Sequence, residues 1–161
     1  MATVTENKGD AIAAFFDEGY DVFMHVANCQ CVMGAGIAKQ VKQKIPELYD
    51  VDQGTSNMKP ANKLGGYSAY AFGDDTDEFP LAINLYGQLR YGRGKRHINY
   101  AALTCAVLNA CGYILDGIDI NKRVRVVCPK LGCGLAGGDW EIIKEILEFA
   151  PDRIEWHVYE I

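Results

Sequence analysis

Two glycine-rich segments carry most of the chemistry this sequence can offer: NCQCVMGAG at residues 28–36 and LGCGLAGG at residues 131–138. Glycine leaves backbone N–H groups unobstructed, and a helix starting beside them adds the positive end of its dipole. Each segment follows an apolar run, DVFMHVAN or RVRVVCP, and precedes a stretch with helical periodicity. Two such strand–loop–helix junctions suit a pyrophosphate held mainly by main-chain donors. One Gly-x-Gly alone does no more than permit a tight turn; it is the occurrence of two at equivalent strand ends that points to a ligand. The spacing excludes the common alternatives. Gly34-Ala35-Gly36 lacks the third glycine of a dinucleotide fingerprint, with Lys39 in its place, and Gly94-Lys95 is followed by Arg96 rather than Ser or Thr.

Side chains able to act on such a ligand cluster near the same junctions. His25 lies three residues before Asn28 at the end of the first apolar run. An imidazole there could activate water or protonate a leaving oxygen. An apolar strand equally suits a hydrogen-bonded core histidine, and alternation says only that residues 25 and 27 share a face. Asn84, Tyr86 and Gln88 in AINLYGQ fall near another strand end, where they could line a sugar or its phosphate or simply finish a strand. The run Arg90, Arg93, Lys95, Arg96 and His97 has the guanidinium groups that fit a terminal phosphate, and also the composition of a solvated loop.

Six cysteines stand at 29, 31, 105, 111, 128 and 133, and free thiols are expected. Cys105, Cys111 and Cys128 lie in apolar runs and read as core residues. Cys29-x-Cys31 lacks the spacing and partner pair of a zinc site, so neither metal nor cofactor is expected.

The elements that must position these residues follow from periodicity and punctuation. Residues 3–6 predict a short strand, AIAAFFDEGY a helix, and DVFMHVAN a buried strand. In GAGIAKQVKQKIPELYD, Ile37, Val41, Ile45 and Leu48 recur at helical spacing, and Pro46 should break the helix near Ile45. Residues 50–66 read as a polar connection. GYSAYAF and PLAINLY predict strands separated by the acidic turn GDDTDEF. Asn99 should cap a helix over YAALTCAVLNACGYIL, apolar on most faces and therefore expected to be largely buried. RVRVVCP is a strand, GGDWEIIKEILEFAP a helix with Asp139 at its N-cap and Pro151 past its end, and RIEWHVYEI a final strand. Strands alternating with helices predict a three-layer α/β/α sandwich with a mixed central sheet.

The bulk numbers are compatible with this. A chain of 161 residues fits a single domain, and 49% hydrophobic with 23% charged residues is ordinary for a globular protein. A net charge of −5 argues against a general nucleic-acid binder. No apolar run approaches the ~18 residues of a membrane-spanning helix, so no membrane partner is expected. The opening MATVTENKGD lacks the basic-then-apolar build of a secretory signal, so a cytoplasmic monomer is the expected form.

HVANCQCVMGAGIAKQVKQKIPELY followed by PKLGCGLAGGDW resembles the macrodomain superfamily, over essentially the whole chain from KGDAI to HVYEI. The similarity is greatest to its compact branches: small ADP-ribose-1″-phosphate phosphatases, terminal ADP-ribose glycohydrolases, and antitoxins that reverse DNA ADP-ribosylation. The resemblance implies one macrodomain over residues 1–161 and a binding site for ADP-ribose. It assigns Asp10, with Ala11 beside it, to the adenine end, although Asp10 also suits a helix N-cap. It assigns Asn28 to the distal ribose. Met33, Gly34, Ala35, Gly36 and Ile37 match the first phosphate loop; Gly132, Cys133, Gly134, Leu135 and Ala136 match the second. Trp140 is expected to pack against that second loop.

For chemistry, the resemblance divides. The glycohydrolase branch works through a Lys and an Asp at places that read Leu85 and Ala136 here. His25 occupies the position of a histidine associated with catalysis in the phosphatase branch. The leading expectation is therefore removal of the terminal phosphate from ADP-ribose-1″-phosphate with His25 assisting. The alternatives are hydrolysis of ADP-ribose from an ADP-ribosylated protein or nucleic acid, and a non-catalytic reader or scavenger of ADP-ribose.

Overall fold

The computed structural model describes residues 1–74 and 77–161. Among them six strands form one sheet: β1 (Thr3–Lys8), β2 (Val22–Asn28), β3 (Tyr67–Ala71), β4 (Leu81–Gln88), β5 (Val124–Pro129) and β6 (Ile154–Glu160). The spatial order is β1-β6-β5-β2-β4-β3. Every pairing is parallel except β3 with β4, so the sheet is mixed, as expected. All seven residues of β2 and all eight of β4 are buried, the pattern of parallel strands covered on both faces.

Helices supply those covers. On one face lie α1 (Ala11–Asp17), α2 (Gly36–Lys44) and α3 (Pro46–Gln53), followed by the short α4 (Pro60–Lys63). They enclose a core that includes Phe15, Phe23, Val41, Leu48 and Ala82. On the other face α5 (Tyr100–Leu115) and α6 (Trp140–Glu148) pack over Met24, Ile83, Leu85, Val126 and Trp156. Two core layers sharing one sheet make the three-layer α/β/α sandwich. No helix among the described residues is long and apolar enough to cross a membrane.

The local signals behave physically as expected at most ends. Pro46 divides α2 from α3 at Ile45. Asp10, Asn99 and Asp139 each accept backbone N–H bonds at the starts of α1, α5 and α6. Three expectations need correction. The connection at 50–66 is not simply a polar linker: α3 runs through Gln53, α4 follows, and Asp52 and Lys63 are buried. Helix α1 stops at Asp17 instead of reaching Tyr20, with Gly19 at a φ of 69° in the turn that follows. Cys105 is exposed, not core. Helix α5 buries the face carrying Leu103, Val107, Cys111 and Ile114, and turns Cys105 and Leu108 outward, because an outer-layer helix meets the sheet on one side only. Cys111 and Cys128 are buried. The acidic turn GDDTDEF includes residues 75–76, which lie outside the described residues.

Asn99 Oδ1 accepts from the Ala102 N–H at 3.0 Å. Asn99→Ala is expected to destabilise the fold by about 1 kcal/mol, lowering Tm by roughly 2–4 °C in a thermal melt.

Candidate functional site

The five mutually parallel strands all end on the same edge of the sheet, and a cleft of about 810 Å³ opens there. Its lining follows the strand ends. Gly9, Asp10 and Ala11 come from the chain after β1, and Tyr159, Glu160 and Ile161 from the end of β6. Pro129 closes β5 and Lys130 follows it, Asn28 closes β2, and Gln88 closes β4. Crevices beyond the carboxyl ends of parallel strands are the usual ligand position in such sheets.

Both glycine segments enter this cleft. Gly34, Ala35, Gly36 and Ile37 line it from the first, and Gly132, Cys133, Gly134, Leu135 and Ala136 from the second. They face each other closely: a Cβ on Gly36 would stand 3.6 Å from Leu135 Cδ1. Gly36 itself has a φ of 58°, a conformation that favours glycine. Helix α2 begins here without a side-chain cap, because Ala35 occupies the N-cap position. Its first-turn N–H groups thus lack the intrahelical partners of later residues and remain donors at the cleft wall. The second loop is tightened from behind. The Gly138 N–H donates to Gly132 O at 2.7 Å, and the N–H groups of His97 and Ile98 both donate to Ala136 O.

Asp10 has two roles available. Its Oδ1 accepts from the N–H groups of Ile12 (2.8 Å) and Ala13 (3.1 Å), while Lys44 Nζ lies 3.6 Å from Oδ2. The backbone donor of Ala13 is the largest influence holding the carboxyl below its usual range. Asn28 also lines the cleft, but its amide shapes the loop behind it. Nδ2 donates to Val32 O at 2.7 Å and Oδ1 accepts from the Gln30 N–H at 2.9 Å.

Other expected site residues are placed elsewhere. The Met33 side chain is buried in the core beneath the loop. His25, Asn84 and Tyr86 do not line the cleft; they sit under α3 in a hydrogen-bonded chain. Asn84 Nδ2 donates to Leu48 O (3.2 Å) and Ser68 Oγ (3.0 Å), which leaves Oδ1 to accept from His25 Nε2 at 2.6 Å. The Tyr86 hydroxyl lies between Ser68 Oγ and Asp52 Oδ1, each at 2.8 Å. His25 is wholly enclosed and its Nδ1 has no partner, so burial drives its pKa down to about 4 despite the opposing bond to Asn84. Leu85 is a fully buried core residue on the opposite face.

Of the basic run, Arg93 lines the cleft, with Tyr91 and Gly92. Arg96 is used structurally, donating to Ile98 O and stacking over Tyr100 at 4.8 Å. Trp140 stays outside the cleft; its Nε1 donates to Glu6. Among the cleft residues that sequence reasoning missed are Lys130, Tyr159 and Glu160 at the β5–β6 end. Their only signal was position at the end of a strand.

A mixed α/β sheet with two facing glycine loops at the carboxyl edge of its parallel strands defines the cleft. The chain is 31% identical over 150 residues to an uncharacterised 17.5 kDa protein from the tk-vs intergenic region of Enterobacteria phage T4, spanning 92% of this chain and 90% of that one. The macrodomain of Mycobacterium tuberculosis DarG superposes with a TM-score of 0.73 at 21% identity, over 100% of this chain and 99% of the other. DarTG from Thermosipho africanus, solved in complex with ADP-ribose, superposes with a TM-score of 0.71 at 21% identity, over 99% of this chain and 42% of that one. No protein-family model matches the sequence. The chain has the macrodomain fold of these structures and belongs to one family with the 17.5 kDa phage protein.

The enclosed histidine sets a pH dependence of folding. Its folded pKa is about 4 against an ordinary value of 6.5, so the unfolded chain takes up the extra proton between those values. This contribution to stability is full above pH 6.5 and is lost as pH falls toward 4, by up to about 3 kcal/mol. Urea midpoints measured across this window should fall with acidity, and His25→Gln should flatten that slope.

Proposed function

We propose that this protein is a macrodomain that binds ADP-ribose or a close derivative across the cleft. Adenosine lies at the β1–β6 end, the pyrophosphate between the glycine loops, and the second ribose toward Asn28 and Gln88. The observation carrying this reading is the pair of facing loops beside the uncapped start of α2, which presents main-chain donors to a dianionic group. The cleft volume lies within the few hundred to roughly 1,000 Å³ typical of small-molecule sites. The complex of DarTG with ADP-ribose, on the same fold, supports the same ligand class. In this arrangement Asp10 keeps its capping bonds while Oδ2 accepts from the adenine amino group, and Ala11 packs beside the base. Gly34 to Ile37 and Gly132 to Ala136 surround the phosphates.

The site supports binding more strongly than turnover. His25, the group expected to assist phosphate removal, is enclosed between the sheet and α3, and Ala136 brings no carboxylate to the second loop. A reader or scavenger of ADP-ribose is therefore the function the geometry supports best. A second reading, removal of the terminal phosphate from ADP-ribose-1″-phosphate, is favoured by Arg93, whose guanidinium suits a phosphate and which lines the cleft together with Gln88.

Calorimetric titration with ADP-ribose is expected to give a saturable one-site isotherm; no heat at high-micromolar ligand would sink the binding claim. Asp10→Asn keeps a capping oxygen and removes the charge, so it should weaken ADP-ribose binding roughly tenfold, or about 1.4 kcal/mol, with little change in Tm. Incubation with ADP-ribose-1″-phosphate separates the two readings. Binding without phosphate release supports the reader, whereas release that Arg93→Ala diminishes supports the phosphatase.

A further inference from the structure

The first glycine loop has a second side, turned away from the cleft toward α3 and α4. There Cys31 meets a buried polar group that the ligand site does not use. The Lys63 ammonium donates to Cys31 Sγ at 3.2 Å and lies 3.9 Å from Asp52 Oδ1. The side chains of Lys63 and Asp52 are each 1% exposed. Lys63 Nζ also lies 4.7 Å from the centroid of the Tyr86 ring. Asp52 Oδ1 is occupied by the Tyr86 hydroxyl, but Asp52 Oδ2 is buried with no hydrogen-bond partner. Cys31 is half-buried, and its Sγ also lies 3.4 Å from the Asp52 main-chain oxygen and 3.6 Å from Thr55 Oγ1.

A buried ion pair built for stability alone needs close geometry and satisfied lone pairs. This one has a long N···O separation and an orphaned carboxylate oxygen, while the closest polar contact of the ammonium is to sulfur. An amine in contact with a thiol, and a carboxylate oxygen free to take a proton, are the parts required to trap an oxidised cysteine.

We propose that Cys31 and Lys63 form a peroxide-sensitive pair in which the oxidised sulfur is captured by the Lys63 amine as a sulfenamide, tying the first glycine loop to α4. In the first step the sulfur attacks one peroxide oxygen: the S–O bond forms and the O–O bond breaks. Lys63 relays the thiol proton, passing one of its own to the Asp52 carboxylate 3.9 Å away and taking up the proton of the sulfur 3.2 Å away. The departing hydroxide then takes a proton from the Lys63 ammonium. In the second step the neutral amine attacks the sulfenic sulfur: the S–N bond forms, the S–O bond breaks, and hydroxide leaves as water with the amine proton. One peroxide becomes two waters, sulfur loses two electrons, and Asp52 ends protonated as the charge of its partner disappears. Burial already raises the Asp52 pKa and so favours that neutral carboxyl.

The test treats the whole chain with equimolar hydrogen peroxide, followed by digestion without reductant and mass analysis. A fragment joining Cys31 to Lys63, two hydrogens lighter than the separate peptides and released by dithiothreitol, is expected. Cys105, exposed on α5, is the internal reference. The crosslink should form roughly tenfold faster than Cys105 gains oxygen, because the ammonium stabilises charge developing on sulfur and on the leaving hydroxide. Cys31→Ser should abolish the fragment, and so should Lys63→Arg, which keeps the charge but cannot condense. If Lys63→Arg fails to fold, the wild-type crosslink and its rate against Cys105 decide the matter alone. Oxidation of Cys31 only to a sulfinic acid, a disulfide to Cys29, or faster reaction at Cys105 would each overturn the proposal. The readout is a covalent mass and is independent of what the cleft binds.

Discussion

Much of this molecule follows from the position of β2, a strand with parallel neighbours on both sides and every residue buried. Its backbone is satisfied by β5 and β4, and its side chains fill two cores at once. A strand so enclosed has freedom only where it ends. The register with β4 shifts between Ala27 and Asn28, at the point where the chain must leave the sheet. From there the first glycine loop crosses the strand ends and starts α2. β5 repeats the arrangement one strand away with the second loop, so two short main-chain turns come to face each other over the carboxyl edge.

The layer beneath α3 shows the cost of placing polar groups in such a core. His25, Asn84, Ser68, Tyr86, Asp52 and Lys63 form a connected series from the middle of β2 to α4, with two buried atoms, His25 Nδ1 and Asp52 Oδ2, lacking partners. Half-satisfied networks of this kind are expensive, because an apolar surrounding strengthens good bonds and penalises missing ones alike. What the series fixes is relative position. Asn84 joins β4 to β2 through His25 and to α3 through the Leu48 carbonyl, so α3 cannot slide without breaking bonds that no water can replace.

The sequence made the fold legible because its signals were local and redundant. Pro46, Asn99, Asp139 and the glycines after two apolar runs each mark a boundary by a separate mechanism, and all are consistent with one architecture. The loops of the site were legible for the same reason. Side-chain direction was less so. Alternation along DVFMHVAN puts His25 with Phe23 and Ala27, but it does not say that this face lies under α3 and not toward the ligand. The segment at 50–66 reads as polar because it is rich in Gly, Asn and Lys; the burial of Asp52 and Lys63 depends on partners distant in sequence, Tyr86 and Cys31. Cys105 misled in the opposite sense, since an apolar helix in an outer layer still has a face that meets solvent.

The cleft's reliance on main-chain donors has an evolutionary consequence. An amide N–H is supplied by any residue except proline, so most positions of the two glycine loops constrain backbone shape more than side-chain identity. Gly36, with its left-handed φ, and Gly138, where a Cβ would stand 2.6 Å from Gly132 O, are exceptions because they set that shape. Structures at 21% identity keep the same fold while differing at most of their side chains. Such a scaffold separates holding a ligand from acting on it, and lets a lineage acquire or lose a reaction by changing one or two residues without rebuilding the grip.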